Sequence, residues 1–293
     1  MFKGSMVALV TPMHADGSID KKSLHDLIEW HIAEKTDAIV VTGTTGESVT
    51  LSNAEKDDII ASTVKQVAGR IPVIAGTGTN STLSTVLASK NAQAAGANAC
   101  LIVTPYYNKP TQKGLYEHYK LIAESISIPI ILYNVPGRTA CDLLPETVAK
   151  LAKLPNIMGI KEASGKIDRW VELLSQCESD FALYSGDDLT SLECLLKGGH
   201  GVISVTANVA PRKMHDMCAA VLSGDKALAV AINEELIPLH KKLFLESNPI
   251  PTKWALHQMG MIPTGIRLPL LTLDSKYHTE LQKALQSAGA LQE

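Results

Sequence analysis

Aromatic residues and long apolar segments are both scarce in this sequence of 293 residues. Phe, Trp and Tyr together make up 4% of the chain, and no apolar run reaches the roughly 18 residues that a membrane-spanning helix needs. The first residues, 1–5, lack the charged and apolar regions of a signal peptide. These absences argue against a membrane protein and predict a cytoplasmic location.

An excess of charge of one sign is also missing. The formal net charge is −3, and the chain contains no basic stripe and no long run of like charges. Because proteins that bind nucleic acids present clustered lysines and arginines, a nucleic-acid partner is not expected. Hydrophobic residues make up 45% of the chain, which indicates a globular protein with a large core.

Several local patterns carry no special chemistry. The five cysteines are odd in number and form no Cys-x-x-Cys pair, which favours free thiols in a reducing compartment. The nine histidines do not cluster with carboxylates, so no metal site is predicted. Gly76-Thr77-Gly78 lacks the third glycine of a dinucleotide-binding loop. Asp187-Asp188 is predicted to cap the helix that follows it.

The sequence does contain a repeated unit of strand and helix. Short apolar runs without alternation are typical of strands that are buried on both faces of a parallel sheet. Eight such runs occur, at residues 6–10, 38–41, 72–75, 100–103, 129–132, 157–160, 181–184 and 201–205. Helix-length segments separate most of them, including one that opens with the capping-box pattern Ser52-x-x-Glu55.

Alternation of strands and helices requires parallel pairing with right-handed crossovers. Eight units in roughly 200 residues match the size of a (β/α)8 TIM barrel, and an open doubly wound sheet is the alternative. We predict a barrel domain over residues 1–224. Residues 225–293 are predicted to form a C-terminal helical domain, in which Pro238 should kink or split a helix over residues 225–246.

Lys161 follows the apolar run 157–160 directly. It is therefore expected at the carboxyl end of a buried strand, where such barrels carry their functional residues. Desolvation disfavours the ammonium form of a lysine, and a neutral amine can add to a ketone and form a Schiff base. For a single lysine, the ordinary alternative is a side chain that extends from the strand end into water.

Other reactive residues fall at the same predicted strand ends. Tyr133 ends the run one unit earlier and could transfer protons beside Lys161. Arg138 suits a substrate carboxylate, and the hydroxyls and amides of Thr44 and Thr45 can hold another. The alternatives are a structural tyrosine, a surface ion pair and a tight turn. The complete group is Thr44, Thr45, Tyr107, Tyr133, Arg138, Lys161, Gly186 and Ile203.

Five ordered motifs resemble the dihydrodipicolinate synthase family. They are Gly-Thr-Thr-Gly-Glu-Ser at 43–48, Pro-Tyr-Tyr-Asn at 105–108, Tyr-Asn-Val-Pro-Gly-Arg-Thr at 133–139, Gly-Ile-Lys-Glu-Ala at 159–163 and Gly-Gly-His-Gly-Val-Ile-Ser at 198–204. The likeness extends over the chain and includes Asn-Pro-Ile-Pro-x-Lys at 248–253. It implies a lyase of the pyruvate-dependent class I aldolase type. Such a lyase needs no cofactor, because Lys161 itself forms an imine with pyruvate.

The resemblance also implies a role for each member of the group. The enamine of pyruvate would attack L-aspartate 4-semialdehyde, a step of diaminopimelate and lysine biosynthesis. Tyr133 would transfer protons through a relay with Thr44 and Tyr107. Tyr107 would reach in from a neighbouring subunit of a homotetramer built as a dimer of dimers. The residues implied in substrate binding are Thr45, Gly186 and Ile203 for pyruvate and Arg138 for the semialdehyde carboxylate.

Two other functions stay open at this point. Pyruvate-dependent sugar-acid aldolases resemble the chain in fold, lysine and tyrosine, but they generally lack an arginine in the position of Arg138. A catalytically silent barrel that binds a keto acid is the second alternative. The combination of Lys161, Tyr133, Thr44 and Tyr107 argues against it, because a silent barrel has no physical need for a desolvated lysine.

The resemblance also reveals a departure in a regulatory region. Lysine-inhibited bacterial members carry a histidine and a glutamate where this chain has Lys56 and Ser84, whereas Ser48, Asn80 and Tyr106 are retained. An ammonium group at Lys56 would repel the ε-ammonium of a bound lysine, and the attracting carboxylate is absent. We therefore predict weak or absent feedback inhibition by lysine.

Overall fold

A closed barrel of eight parallel strands forms the centre of the computed structural model, which describes residues 1–291. The strands are β1 (Gly4–Ala8), β2 (Ala38–Val41), β3 (Val73–Gly76), β4 (Ala99–Val103), β5 (Ile130–Asn134), β6 (Ile157–Glu162), β7 (Ala182–Ser185) and β8 (Gly201–Ser204). Strand β1 pairs with β8, with Met6 beside Ile203, and this pairing closes the sheet. The predicted (β/α)8 barrel is confirmed and the open sheet is excluded.

The predicted and observed strands differ mainly at β1. The apolar run was predicted to form a strand over residues 6–10, but the paired segment begins at Gly4 and ends at Ala8. Val10 is buried, yet its backbone N–H donates to Asn208 Oδ1 at 3.1 Å instead of to a neighbouring strand. An apolar run therefore marks burial, whereas hydrogen-bond partners decide where the strand ends.

Helices cover the outer face of the barrel and continue beyond it. They are α1 (Lys21–Ala33), α2 (Asn53–Val67), α3 (Thr82–Ala94), α4 (Gln112–Ser125), α5 (Pro136–Thr139), α6 (Pro145–Leu151), α7 (Ile167–Gln176), α8 (Ser191–Leu196), α9 (Pro211–Ser223), α10 (Lys226–Lys242), α11 (Ile250–Gln258) and α12 (His278–Ser287). Short 3₁₀ turns cover Thr206–Asn208 and Ser275–Tyr277. The predicted capping box of Ser52 and Glu55 opens α2. Within residues 1–291, no helix has the length and apolar character that crossing a membrane requires.

Two apolar layers lie on opposite faces of the barrel sheet. Alternate residues of the strands fill the interior, among them Met6, Val40, Leu101 and Ile131. The residues between them pack outward against the helices in a larger cluster. Because both faces are buried, the strands read in the sequence as continuous apolar runs.

The first C-terminal helix is shorter than predicted, because α10 ends at Lys242 instead of continuing to residue 246. It includes Pro238 and is not split there, and the alternative of a kink stays a prediction. Leu236 and Leu239 on either side of the proline are fully buried where α10 packs against α9 and α12. This tertiary packing compensates for the hydrogen bond that a proline removes. The division into domains at residue 224 stays a prediction.

Candidate active site

The pairing of β5 with β6 places Tyr133 directly opposite Lys161. Lys161 Nζ lies 4.5 Å from the centroid of the Tyr133 ring, and the two residues are only 5% and 7% exposed. Tyr133 belongs to the interior apolar cluster of the barrel. The amine and the phenol that the sequence assigned to neighbouring strand ends are thus adjacent and shielded from water.

A polar network supports this pair from the opposite face of the sheet. Asn134 and Glu162 directly follow Tyr133 and Lys161, and Asn134 Nδ2 donates to Glu162 Oε2 at 2.9 Å. Burial raises the pKa of the Glu162 carboxyl, and its hydrogen bond from Asn134 opposes this shift. Asn134 Nδ2 also donates to Asp142 Oδ1 at 2.9 Å. The network fixes the register of β5 against β6, and sequence reasoning did not identify it.

The loop at residues 43–48 carries the two predicted threonines. Thr45 is 2% exposed, and its hydroxyl oxygen accepts a hydrogen bond of 2.9 Å from Asn248 Nδ2. Thr42, just before the loop, and Glu47, near its end, have φ angles of 54° and 57°, in the left-handed region that side chains disfavour. The loop therefore has a conformation that its surroundings must stabilise.

Thr44 and Arg138 line one cavity of about 250 Å³. Arg138, in the short helix α5, donates one hydrogen bond of 3.1 Å from Nη2 to the backbone oxygen of Asn248. A guanidinium carries five N–H donors, so the others can reach a ligand carboxylate. The other residues that line the cavity are Ser48, Val49, Lys56, Gly78, Thr79, Val103, Tyr106, Val135 and Thr139.

Gly186, directly after β7, lies against Lys161. A Cβ atom at this position would lie 2.8 Å from Lys161 Cε and 2.6 Å from Ala163 Cβ, both closer than van der Waals contact allows. Glycine is thus required here for space, so that the lysine side chain can occupy the barrel mouth. Ile203 in β8 is completely buried in the interior cluster.

The prediction that Asp187-Asp188 caps the next helix is wrong, because Thr190 is the N-cap of α8 and no side chain caps this helix. Asp187 accepts hydrogen bonds from the N–H and the hydroxyl of Thr190, in the turn that precedes α8. Asp188 instead accepts from the backbone N–H groups of Val205 and Thr206, at 2.9 and 2.8 Å. A carboxylate in the loop after β7 therefore holds the backbone just after β8, a contact between two loops that local sequence does not encode.

Tyr107 does not join the buried pair within this chain. It is 88% exposed and has a φ angle of 75°, an unusual backbone conformation for a tyrosine on the surface. Of the predicted group, the fold thus gathers Lys161, Tyr133 and Gly186 at one point and Thr44 with Arg138 in the cavity. It leaves Tyr107 directed away from the chain.

Three of the residues predicted for regulation line the cavity that contains Thr44 and Arg138. Ser48, Lys56 and Tyr106 line it together with Thr44, and Ser48, Lys56 and Ser84 line a smaller neighbouring cleft. Burial lowers the pKa of the Lys56 ammonium, and the charge of Asp57 opposes this shift. Asn80 accepts a hydrogen bond of 2.8 Å on its backbone oxygen from Asn108.

Across residues 1–291, no group of three or more His, Cys, Asp or Glu side chains is arranged to hold a metal ion. The geometry instead defines a class of protein: a (β/α)8 barrel with an amine, a phenol and a guanidinium at the carboxyl ends of its strands.

Comparison with known proteins identifies the family within this class. Residues 1–288 match the model of the dihydrodipicolinate synthetase family, and the chain belongs to that family. It is 60% identical over 291 residues to the 4-hydroxy-tetrahydrodipicolinate synthase of Stutzerimonas stutzeri, covering 99% of this chain and 100% of the relative. It is 59% identical to the synthase of Pseudomonas aeruginosa, with the same coverage.

A solved structure gives the same result. The chain superposes with a TM-score of 0.98 on the chloride-inhibited dihydrodipicolinate synthase of Acinetobacter baumannii, crystallised in complex with pyruvate. The two sequences are 52% identical, and the match covers 99% of this chain and 100% of that one. The family resemblance seen in the motifs is confirmed by sequence and by fold.

Substitution of Gly186 tests the close packing around Lys161. Gly186→Ala forces its new methyl group against Lys161 and Ala163, so we expect a loss of about 1–3 kcal/mol in the free energy of unfolding, measured with urea. A crystal structure of the variant should show the lysine side chain displaced. Gly137→Ala is the matched control, because a Cβ there meets nothing within 4 Å. Equal stability of the two variants would contradict the packing argument.

Proposed function

We propose that this protein is a 4-hydroxy-tetrahydrodipicolinate synthase, a lyase of the diaminopimelate and lysine biosynthesis pathway. It condenses pyruvate with L-aspartate 4-semialdehyde. Full-length similarity to synthases supports the assignment. The observation that carries the chemistry is the buried amine of Lys161 against the Tyr133 ring.

Lys161 starts the reaction by adding to the ketone carbon of pyruvate, and loss of water gives an iminium ion. The iminium withdraws electrons, so a methyl proton leaves and an enamine forms. The enamine carbon attacks the aldehyde carbon of the semialdehyde. The amino group of the bound product then attacks the iminium carbon and closes the ring, which releases the lysine amine. No cofactor is needed in this sequence of steps.

Tyr133 is proposed as the group that donates and accepts protons during these steps. The position of its ring beside the amine supports this role, because a proton-transfer group must lie close to the reacting atoms. Thr44 and Tyr107 are proposed to connect its hydroxyl to the solvent. Within one subunit Tyr107 is 88% exposed, so the relay requires Tyr107 of a neighbouring subunit.

The substrate carboxylates are assigned to separate groups. The hydroxyl and amide of Thr45, with the backbone at Ile203 and the space at Gly186, are proposed to hold pyruvate. Arg138 is proposed to bind the carboxylate of the semialdehyde, because its guanidinium lines the same cavity as Thr44. A bidentate pair between a guanidinium and a carboxylate also fixes the orientation of the bound group.

The assembly is proposed to be a homotetramer built from two tight dimers. Large apolar side chains that are exposed in the single chain, among them Val49, Leu83, Leu87 and Tyr107, support a subunit interface. A cytoplasmic location is proposed as well. The five free cysteines, four of them buried, support a reducing compartment.

Trapping with borohydride tests the proposed reaction directly. Reduction in the presence of pyruvate should attach pyruvate irreversibly to Lys161, as peptide mass mapping will show, and Lys161→Met should yield no adduct. Tyr133→Phe should still form the adduct but lose about 10²–10⁴-fold in kcat, because proton transfer is impaired. A native enzyme without an adduct on Lys161 would instead favour a silent keto-acid-binding barrel.

Arg138 distinguishes the proposed enzyme from a sugar-acid aldolase. Arg138→Ala removes charged hydrogen bonds to the second substrate, so KM for aspartate semialdehyde should rise about 10–100-fold. The pyruvate concentration needed for half-maximal trapping should stay unchanged. Arg138→Lys is the matched control that keeps the charge and loses the bidentate geometry. Unimpaired activity of Arg138→Ala on the semialdehyde, together with cleavage of sugar acids, would favour the aldolase.

Lysine is predicted to be a weak inhibitor or none at all. Lys56 places an ammonium group in the cleft, and Ser84 supplies no carboxylate to attract the ligand. Initial rates at neutral pH should therefore change little at sub-millimolar lysine. The double variant Lys56→His with Ser84→Glu should become sensitive, because it removes the repulsion and adds an attractive charge. Strong inhibition of the native enzyme would refute the prediction.

A further inference from the structure

The loop that carries Thr44 and Thr45 is held by residues far along the chain. Asn248 precedes α11, and its Nδ2 donates to the buried hydroxyl oxygen of Thr45 at 2.9 Å. Its backbone oxygen accepts the 3.1 Å hydrogen bond from Arg138. One residue of the C-terminal segment therefore contacts both groups to which substrate carboxylates are assigned.

A buried ion pair fixes the other end of the same loop. Glu47 forms a salt bridge with Lys253, which lies in α11. The side chains of Glu47 and Lys253 are 1% and 4% exposed. Burial lowers the pKa of the Lys253 ammonium, and the charge of Glu47 opposes this shift. Glu47 Oε2 also accepts the backbone N–H of Arg267 at 3.1 Å. Both carboxylate oxygens of Glu47 thus bind the C-terminal segment.

Stability alone does not account for this arrangement. A buried ion pair contributes little more stability than apolar side chains of the same volume, because both charges lose their hydration. The pair does hold Glu47 in the left-handed region, with a φ angle of 57°. An unfavourable backbone conformation persists only where its surroundings stabilise it. The conformation of the loop is therefore the property that the pair maintains.

The hydrogen bond from Asn248 also determines which role the Thr45 hydroxyl can take toward a further partner. A hydroxyl group has one hydrogen to donate, and its oxygen can accept from other donors. Because the oxygen already accepts from Asn248 Nδ2, the hydroxyl hydrogen remains available for an acceptor other than Asn248. An ionised carboxylate accepts hydrogen bonds and donates none.

We propose that Asn248 and Lys253 are positioning residues of the pyruvate site, which hold the loop at residues 43–48 so that Thr45 donates to the pyruvate carboxylate. The inference rests on the proposed function. The C-terminal segment would thereby contribute to substrate binding indirectly. Asn248 and Lys253 contact the loop and do not contact the substrate.

Lys253→Met in the full-length enzyme tests the proposal. The pyruvate concentration that gives half-maximal borohydride trapping, and KM for pyruvate, should rise about tenfold or more, while kcat at saturating pyruvate falls less. Amide hydrogen exchange in the loop at residues 43–48 should accelerate. Lys242→Met is the matched control, because it breaks a partly exposed ion pair with Glu280 in the same segment and should leave these quantities unchanged. An unchanged KM in Lys253→Met would overturn the proposal.

A double variant separates positioning from the effect of an unpaired buried charge. Glu47→Gln combined with Lys253→Met removes both charges, so resistance to urea should recover relative to Lys253→Met. Affinity for pyruvate should stay low, because the loop is still not held. Recovery of affinity together with stability would show a merely structural role and overturn the proposal.

Asn248→Ala should have the same selective effect on KM for pyruvate, with Lys242→Met again as the control. Native enzyme that forms no imine would refute the proposed function instead. In that case, hydrogen exchange alone tests whether Lys253 positions the loop. If amide exchange of the loop is unchanged in Lys253→Met, the positioning proposal is overturned.

Discussion

Parallel pairing of β5 with β6, after a register shift between Ile130 and Ile131, places Tyr133 against Lys161, and the rest of the site is arranged around this contact. A slip of one residue would turn Lys161 toward the helices and away from the barrel mouth. The hydrogen bond between Asn134 and Glu162 on the opposite face opposes such a slip. The reactive pair and its support therefore alternate along the same two strands, one set facing in and the other facing out.

Closure of the barrel provides the environment that imine chemistry needs. The interior cluster shields the amine from water, and Gly186 leaves the space that the lysine side chain fills. The loop proposed to bind pyruvate includes an unfavourable backbone conformation at Glu47 and follows another at Thr42. In the proposed function, the barrel holds the reacting groups and the separately anchored loop holds the substrate.

Local sequence predicted the parts of the fold that depend on local forces. Strand runs, the capping box at Ser52 and the alternation of strands with helices all follow from burial and backbone preferences within a few residues. The errors concern contacts between distant elements. Asp188 was assigned to a helix cap, but it binds the backbone that follows β8. Val10 was assigned to β1, but its backbone N–H donates to Asn208.

The sequence by itself determined the eight-fold repeat, the position of Lys161 and Tyr133 at strand ends, and the motifs of the family. Only the tertiary structure decided that Asn248 contacts Thr45 and that Lys253 pairs with Glu47, across separations of 203 and 206 residues. The physical reason is that hydrophobic periodicity and capping act over a few residues. Contacts between distant segments exist only after the barrel has closed and the C-terminal helices have packed against it.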